Sequence, residues 1–150
     1  MCLKLHSEDK KFVAYPQDSE FLKKLKNSSR QEITCWKVYI KRETCLSPIY
    51  YRKKVWAKGI VESNREWGTK LISEEKRKGN VALGIHVYYC RKDLDGLCLN
   101  RNEVIVPVIC KLSDLVAIEY NSSDPWRSPV EAVFTKVRIT KRTWKKIFGE

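Results

Sequence analysis

Polar and apolar residues alternate with a period of two over much of the chain, and this period predicts β-strands. The runs that show it span residues 33–41, 81–90, 103–110, 115–120 and 131–139, with a weaker one at 55–61. In the first run, Trp36 and Val38 fall on one face while Lys37 and Tyr39 fall on the other. Because proline cannot donate to a strand ladder, Pro107 predicts that the 103–110 strand lies at a sheet edge or a bulge.

Two short segments have the spacing of an amphipathic helix instead. Phe21, Leu22 and Leu25 form the apolar stripe of the first helix. The second follows Thr140, a good N-cap residue, and its stripe consists of Trp144, Ile147 and Phe148. A polar helical turn is also predicted at 73–78. The chain is therefore predicted to form a single α+β domain over residues 1–150, a mostly antiparallel sheet of about five to seven strands with two or three short helices.

His86 lies within the strongest of the predicted strands. It shares a face with Gly84 and Tyr88, opposite the apolar face that carries Ile85 and Val87. An imidazole at such a position is a half-buried group bonded to a neighbour or, alternatively, a general base or a phosphate-binding group.

Composition narrows the class of protein. The 150 residues include 43% hydrophobic and 11% aromatic side chains, which is enough to form a core and argues against disorder. No apolar run approaches the roughly 18–20 residues of a membrane span, and the first residues lack the pattern of a signal peptide. We expect a cytoplasmic protein that does not interact with membranes, located in the host cytoplasm if a phage encodes it.

Six cysteines lack the spacing of a zinc site, since the chain has no Cys-x-x-Cys and two histidines. They are interpreted as free thiols, several of them buried, and a Cys90–Cys98 disulfide across the Asp95-Gly96 turn is left open. No metal site and no cofactor are predicted.

The formal net charge of +12 is concentrated in two blocks, residues 41–58 and 136–150, which carry +5 each. Both blocks mix cations with aromatic side chains. Cations neutralise phosphates and aromatic rings stack on bases, so this composition favours a phosphate-bearing ligand. The predicted ligand-binding residues are Tyr50, Tyr51, Arg52, Lys53, Lys54, His86, Tyr88, Trp126, Arg127, Arg138, Lys141 and Arg142.

Motifs of catalysis are absent from the sequence: it has no Gly-x-Ser-x-Gly, no Walker loop and no glycine-rich dinucleotide turn. No catalytic residue is predicted, and a protein that is not an enzyme is favoured.

Short motifs occur in a fixed order over roughly residues 33–140, among them Trp36-Lys-Val-Tyr, Trp56-Ala-Lys-Gly, Gly84-Ile-His-Val-Tyr and Ala132-Val-Phe-Thr-Lys-Val. This series resembles small uncharacterised α+β domains encoded by phages and prophages. The resemblance implies an accessory or anti-defence protein that binds a host protein, nucleic acid or a nucleotide. The series is also similar to ADP-ribosyltransferase-like folds, in which Lys37 or His86, together with Glu131, would fill the active-site roles.

The leading hypothesis is a non-enzymatic binding protein for nucleic acid or a nucleotide-type small molecule. The alternatives are an ADP-ribosyltransferase-like enzyme and an inhibitor that applies its basic face to an acidic protein. Association into a homo-oligomer is left open.

Overall fold

The computed structural model describes residues 3–4, 20–48, 61–63, 80–81, 84–95, 98–118 and 131–149. These residues include two helices, α1 (Glu20–Asn27) and α2 (Lys141–Phe148). The described strands are β1 (Leu3–Lys4), β2 (Glu32–Lys41), β3 (Leu46–Pro48), β4 (Val61–Ser63), β5 (Asn80–Val81), β6 (Ile85–Tyr88), β7 (Glu103–Lys111), β8 (Leu115–Ile118), β9 (Glu131–Phe134) and β10 (Lys136–Arg138). The predicted α+β class is confirmed.

The main sheet has the strand order β4-β10-β7-β2-β6-β9-β8, with β3 paired to β2, while β1 and β5 form a separate ladder. Each of the described pairings is antiparallel. Strands β2 and β7 form the longest ladder, from Glu32 opposite Lys111 to Ile40 opposite Glu103. The mostly antiparallel sheet predicted from the alternation is therefore confirmed.

Strand β7 lies inside the sheet, between β10 and β2, so the expectation that Pro107 marks an edge strand or a bulge is wrong. The β7–β2 register runs through Pro107, which stands opposite Trp36, without a shift. On its other side, β7 pairs with β10 at Ile109, and β10 ends at Arg138 opposite that residue. Pro107 lies two residues beyond this pair, where the missing N–H interrupts no described β10 ladder.

The predicted 81–90 strand divides into β5 and β6, and Gly84 is the physical reason. Its φ of +109° is a backbone conformation that residues with a side chain rarely adopt. A Cβ atom at this position would also collide with Cγ1 of Val133 on β9. Val81 pairs with β1, while the residues from Ile85, directly after Gly84, pair with β9.

The predicted 131–139 strand also divides, at Thr135, into β9 and β10. The backbone N–H of Thr135 leaves the ladder and donates to the carbonyl of Asp114, with an N···O distance of 2.8 Å. Strand β9 lies between β6 and β8, whereas β10 lies between β4 and β7. Because these distant positions in the strand order are joined by one residue, the sheet curls until they meet.

One face of the curled sheet carries the hydrophobic core. We call it the inner face; its residues include Cys35, Tyr39, Val87, Val106, Val108, Phe134, Val137 and Ile139. Both helices bury their apolar stripes here, as predicted: Phe21, Leu22 and Leu25 from α1, and Trp144 from α2. Phe21 makes edge-to-face contacts with Tyr89 and Phe134, at centroid distances of 5.0 and 6.5 Å. The opposite, outer face carries the alternate residues, including Trp36, His86, Tyr88 and Arg138.

The weaker predictions fall largely beyond the described ranges. Of the 55–61 strand, only Val61 is described, as the first residue of β4. The helical turn predicted at 73–78 lies outside the described residues. Within the described part of the chain, neither helix has the length and apolar character needed to cross a membrane.

Candidate functional site

The structure describes five of the twelve predicted ligand-binding residues. His86 and Tyr88 lie on the outer face of β6, as the alternation predicts, because Ile85 and Val87 between them are buried. Arg138 reaches the same face from β10, since its neighbours Val137 and Ile139 point into the core. Lys141 and Arg142 lie instead in the first turn of α2, the helix packed on the inner face. Tyr50, Tyr51, Arg52, Lys53, Lys54, Trp126 and Arg127 lie outside the described residues.

A short hydrogen bond joins His86 to Glu131. Glu131 stands opposite Tyr88 in the β6–β9 register, so it meets His86 diagonally across the two strands. Nδ1 of His86 lies 2.5 Å from Oε1 of Glu131, and their side chains are 15% and 12% exposed. A carboxylate accepts from the imidazole N–H in this arrangement, which fixes the orientation of the ring.

Lys37 lies on the inner-face side of β2 and reaches the backbone beneath His86. Its Nζ donates to the backbone carbonyl of His86, with an N···O distance of 3.2 Å, and lies 5.6 Å from the centroid of the Tyr39 ring. The ammonium group therefore bridges β2 and β6 just past Trp36 and Tyr88, the pair at which the two strands are in register. This contact holds the backbone that carries His86.

Trp36 and Tyr88 are cross-strand neighbours on the outer face, and both are half-buried. The guanidinium of Arg91, which is exposed, lies 5.7 Å from the centroid of the Trp36 ring. A cation at this distance is attracted to the ring face. Two aromatic side chains and a guanidinium are therefore adjacent at the centre of the outer face, next to the His86–Glu131 pair.

A looser cluster surrounds Glu32, where β2, β7 and β10 run side by side. Lys111 Nζ lies 3.8 Å from one carboxylate oxygen of Glu32, and Arg138 Nη2 lies 3.7 Å from the other. Glu32 is half-buried, whereas both cations are exposed. Ion pairs of this exposure contribute little to stability, so the cluster positions two cations on the outer face rather than fastening the strands.

Helix α2 presents cations along its solvent side. It is capped by Thr140, whose hydroxyl accepts from the Thr143 N–H at 3.1 Å, and by Gly149 at φ +74°. Trp144 and Phe148 stack at a centroid distance of 4.6 Å on its inner side. The ammonium group of Lys41, at the end of β2, lies 5.5 Å from the Phe148 ring. The resulting basic strip comprises the exposed side chains Lys41, Lys141, Arg142, Lys145 and Lys146.

Exposed charge is almost entirely positive over the described surface. The exposed cations are Lys23, Lys24, Lys26, Arg30, Lys41, Arg42, Arg91, Lys92, Arg101, Lys111, Lys136, Arg138, Lys141, Arg142, Lys145 and Lys146. Among the residues whose side-chain exposure the structure describes, the exposed carboxylates are Glu43 and Asp95. Glu32, Glu103 and Glu131 are each drawn into an ion pair or a hydrogen bond at a less exposed position. The field over this part of the surface is therefore strongly positive.

The five described cysteines, Cys35, Cys45, Cys90, Cys98 and Cys110, are free thiols. Burial raises the pKa of the Cys110 thiol, and a hydrogen bond with Cys35 acts in the same direction, so this thiol stays protonated and unreactive. Among the described residues, no group of three or more His, Cys, Asp or Glu side chains is arranged to hold a metal ion.

Glu131 was absent from the predicted ligand-binding residues, and the signal for it was the resemblance to ADP-ribosyltransferase-like folds, which paired it with Lys37 or His86. The structure brings the side chains of His86 and Glu131 together on the outer face, whereas Lys37 lies on the inner-face side and reaches only the backbone carbonyl of His86. The arrangement supports two kinds of chemistry: phosphate binding by dispersed cations, and proton transfer by an imidazole held against a carboxylate. The chain matches no protein-family model, no curated protein and no solved structure.

Proposed function

We propose that this protein binds nucleic acid and does not act as an enzyme. The observation that carries the proposal is the separation of charges at the surface: cations are exposed over both helices and the outer face, while Glu32 and Glu131 are withdrawn from solvent and paired. A polymer with a phosphate at every nucleotide can satisfy dispersed cations, whereas a single nucleotide needs them to converge.

The basic strip supplies a second line of support. Lys141 and Lys145, and likewise Arg142 and Lys146, are like charges four residues apart, which destabilises a helix. Lys141 and Arg142 also stand at the positive end of the helix dipole, where acidic residues are favoured. A ligand that brings negative charge removes both penalties, so the strip is better suited to a complex than to the protein alone.

Salt dependence tests the proposal directly. Binding of a fluorescein-labelled oligonucleotide is followed by anisotropy over a range of salt concentrations, and the logarithm of affinity is plotted against the logarithm of salt. We expect a slope of several units, because each neutralised phosphate contributes about 0.7 for a single strand and about 0.9 for a duplex. A flat slope, or no binding at low salt, contradicts the proposal.

Substitution locates the residues that bind phosphate. The variant Lys141→Gln, Arg142→Gln, Lys145→Gln, Lys146→Gln is expected to lower the slope by roughly 0.7 for each phosphate that the strip no longer neutralises and to weaken binding to all sequences alike. A matched variant on α1, with Lys23, Lys24 and Lys26 changed to Gln, separates the strip from a general effect of net charge. The strip variant removes four charges and the α1 variant three, so equal reductions per charge removed would show that charge alone, and not the strip, determines affinity.

The same kind of binding measurement distinguishes nucleic acid from two other ligands, a nucleotide and an acidic protein. A nucleotide-type ligand would compete with the oligonucleotide at one saturable site and with a weak dependence on salt. An acidic protein partner would remain bound after nuclease treatment. An accessory or anti-defence role in a phage follows from the resemblance of the sequence motifs and is proposed on that basis.

A second candidate function, an ADP-ribosyltransferase-like activity, is favoured by one contact. Nδ1 of His86, which with Lys37 is one of the two residues that the resemblance offers beside Glu131, lies 2.5 Å from Oε1 of Glu131. Incubation with a nicotinamide dinucleotide and candidate acceptors should then release nicotinamide, and Glu131→Gln should abolish the release while His86 stays in place. No consumption of the dinucleotide by the wild-type protein removes this candidate.

A further inference from the structure

The aromatic pair on the outer face is not accounted for by phosphate binding. Trp36 and Tyr88 occupy directly opposite positions on β2 and β6, and both are half-buried rather than enclosed in the core. The residues that flank Trp36 along the outer face of β2 are Thr34, which is exposed, and Val38, which is buried. The two rings thus lie at the boundary between the solvent-exposed part of the outer face, on the Thr34 side, and its buried part, on the Val38 side.

Cations stand on the exposed side of this pair. Arg91 lies with its guanidinium 5.7 Å from the centroid of the Trp36 ring. Arg138 and Lys111 lie farther along the same face: Arg138 is opposite Ile109, and Ile109 is opposite Thr34, two residues from Trp36. Neighbouring positions along a strand on one face are about 7 Å apart and adjacent strands about 4.8 Å apart, so the backbone of Arg138 lies roughly 12 Å from that of Trp36. Aromatic rings and cations therefore share one face of the sheet, the combination with which proteins bind single strands.

We propose that the outer face binds single-stranded nucleic acid, with one or two bases stacked on Trp36 and Tyr88 and the flanking phosphates held by Arg91 and Arg138. This inference rests on the proposed function and adds the form of the ligand. Bases in a duplex are paired and stacked within the helix, so their faces cannot reach a sheet. Stacking on aromatic side chains accepts any unpaired base, because every base has a π-face.

The basic strip and the aromatic pair then have separate roles. Helix α2 packs on the inner face, so its cations and the outer-face rings lie on different sides of the sheet. The strip attracts nucleic acid of any form, whereas the rings select the single strand. Removing the cations of the strip should weaken the binding of both single-stranded and duplex nucleic acid. Removing the two rings should weaken the binding of the single strand only.

The test compares a labelled single strand with the duplex of the same sequence. At moderate salt, we expect the wild-type protein to bind the single strand about tenfold more tightly than the duplex. Trp36→Leu and Tyr88→Leu keep apolar volume but lose the aromatic face, and each should weaken single-strand binding about tenfold and leave duplex binding and the salt slope unchanged. Trp36→Phe and Tyr88→Phe, which keep a ring, should restore most of the affinity.

Tyr89→Leu is the matched control, because Tyr89 follows Tyr88 in the chain but packs against Phe21 on the inner face. It should lower the melting temperature without changing the preference for a single strand. Equal affinity for the two forms, or Leu variants that bind like the wild type, would overturn the stacking inference and leave nucleic-acid binding intact. Absence of binding to both forms at low salt would instead overturn the proposed function and the inference together.

Discussion

The His86–Glu131 pair and the basic strip hold charge in opposite ways. The pair is largely shielded from solvent, its partners are 2.5 Å apart, and it joins strands from distant parts of the chain. In the strip, no described carboxylate lies within ion-pair distance of Lys141, Arg142, Lys145 or Lys146. The first arrangement contributes to folding, whereas the second places like charges near one another at a cost in stability, which the proposed binding of nucleic acid would offset. Variants in the pair should therefore change mainly the stability of the fold, and variants in the strip mainly the affinity for nucleic acid.

Breaking the pair should have the largest effect. Glu131→Ala removes the carboxylate that accepts from the His86 imidazole at a position shielded from water, so we expect the free energy of unfolding to fall by about 2 kcal/mol. Urea denaturation measures the decrease. The control is Glu32→Ala, which removes a half-buried carboxylate whose cation partners are exposed and 3.7–3.8 Å away, and it should cost less than about 1 kcal/mol. Equal decreases would mean that the buried pair has no special structural role.

The next effect concerns a buried group outside both regions. Because burial raises the pKa of Cys110 in the folded protein, the unfolded chain ionises first as pH rises. Above the ordinary thiol pKa of about 8.5, the free energy of unfolding should fall by up to about 1.4 kcal/mol per pH unit from this residue. Stability is measured at several alkaline pH values for the wild type and Cys110→Ala. The free energy of unfolding should decline more steeply with pH for the wild type than for the variant. Parallel curves would show that Cys110 does not cause the decline.

Removing the cap of α2 should cost about 1 kcal/mol. In Thr140→Ala, the N–H of Thr143 loses its acceptor and the first turn of the helix, which carries Lys141 and Arg142, frays. Thermal unfolding gives the decrease in stability, and anisotropy gives the decrease in oligonucleotide affinity. Thr140→Ser keeps the hydroxyl and should restore both. An Ala variant with unchanged stability would show that packing of Trp144 alone fixes the helix.

The smallest expected effect is the change in stability when a lysine of α2 is replaced by glutamate, and its sign should differ between the two ends of the helix. Lys141→Glu places a negative charge at the N-terminus of α2 and should stabilise the protein by about 0.5 kcal/mol at low salt. Lys146→Glu, near the C-terminus of the same helix, should destabilise it by a similar amount. Both differences should shrink near 1 M salt, where the screening length is about 3 Å. Both variants should nevertheless bind nucleic acid more weakly, which a purely structural role for these lysines does not predict.

Local patterns were sufficient to predict the two helices, several of the strands and the buried sides of these elements. The stripe of Phe21, Leu22 and Leu25 predicted the buried side of α1, and the spacing of Trp144 and Phe148 predicted that of α2. Likewise, the alternation around His86 predicted which face of β6 is buried. These features depend on residues a few positions apart, and the side-chain period alone determines them.

Long-range pairing could not be predicted in the same way. Gly84 has a positive φ at a position where the side chain of Val133 leaves no room for a Cβ atom, and Thr135 interrupts another predicted strand because of its bond to Asp114. The interior place of Pro107 depends on where β10 ends. The meeting of His86 with Glu131 joins residues 45 positions apart, and only the β6–β9 register brings them into contact. A shift of that register by one residue would point Glu131 to the other face.

The division of the 131–139 segment at Thr135 has a consequence for the order of folding. This segment completes ladders with β6 and β8 through β9, and with β4 and β7 through β10. All four of those strands precede it in the chain and are synthesised first. The edges that pair with β9 and β10 therefore stay unpaired until residues 131–139 have been made. The β2–β7 ladder can form early, whereas closure of the curled sheet is a late, non-local step. Growing chains therefore expose unpaired strand edges, which makes high expression levels the condition most prone to aggregation.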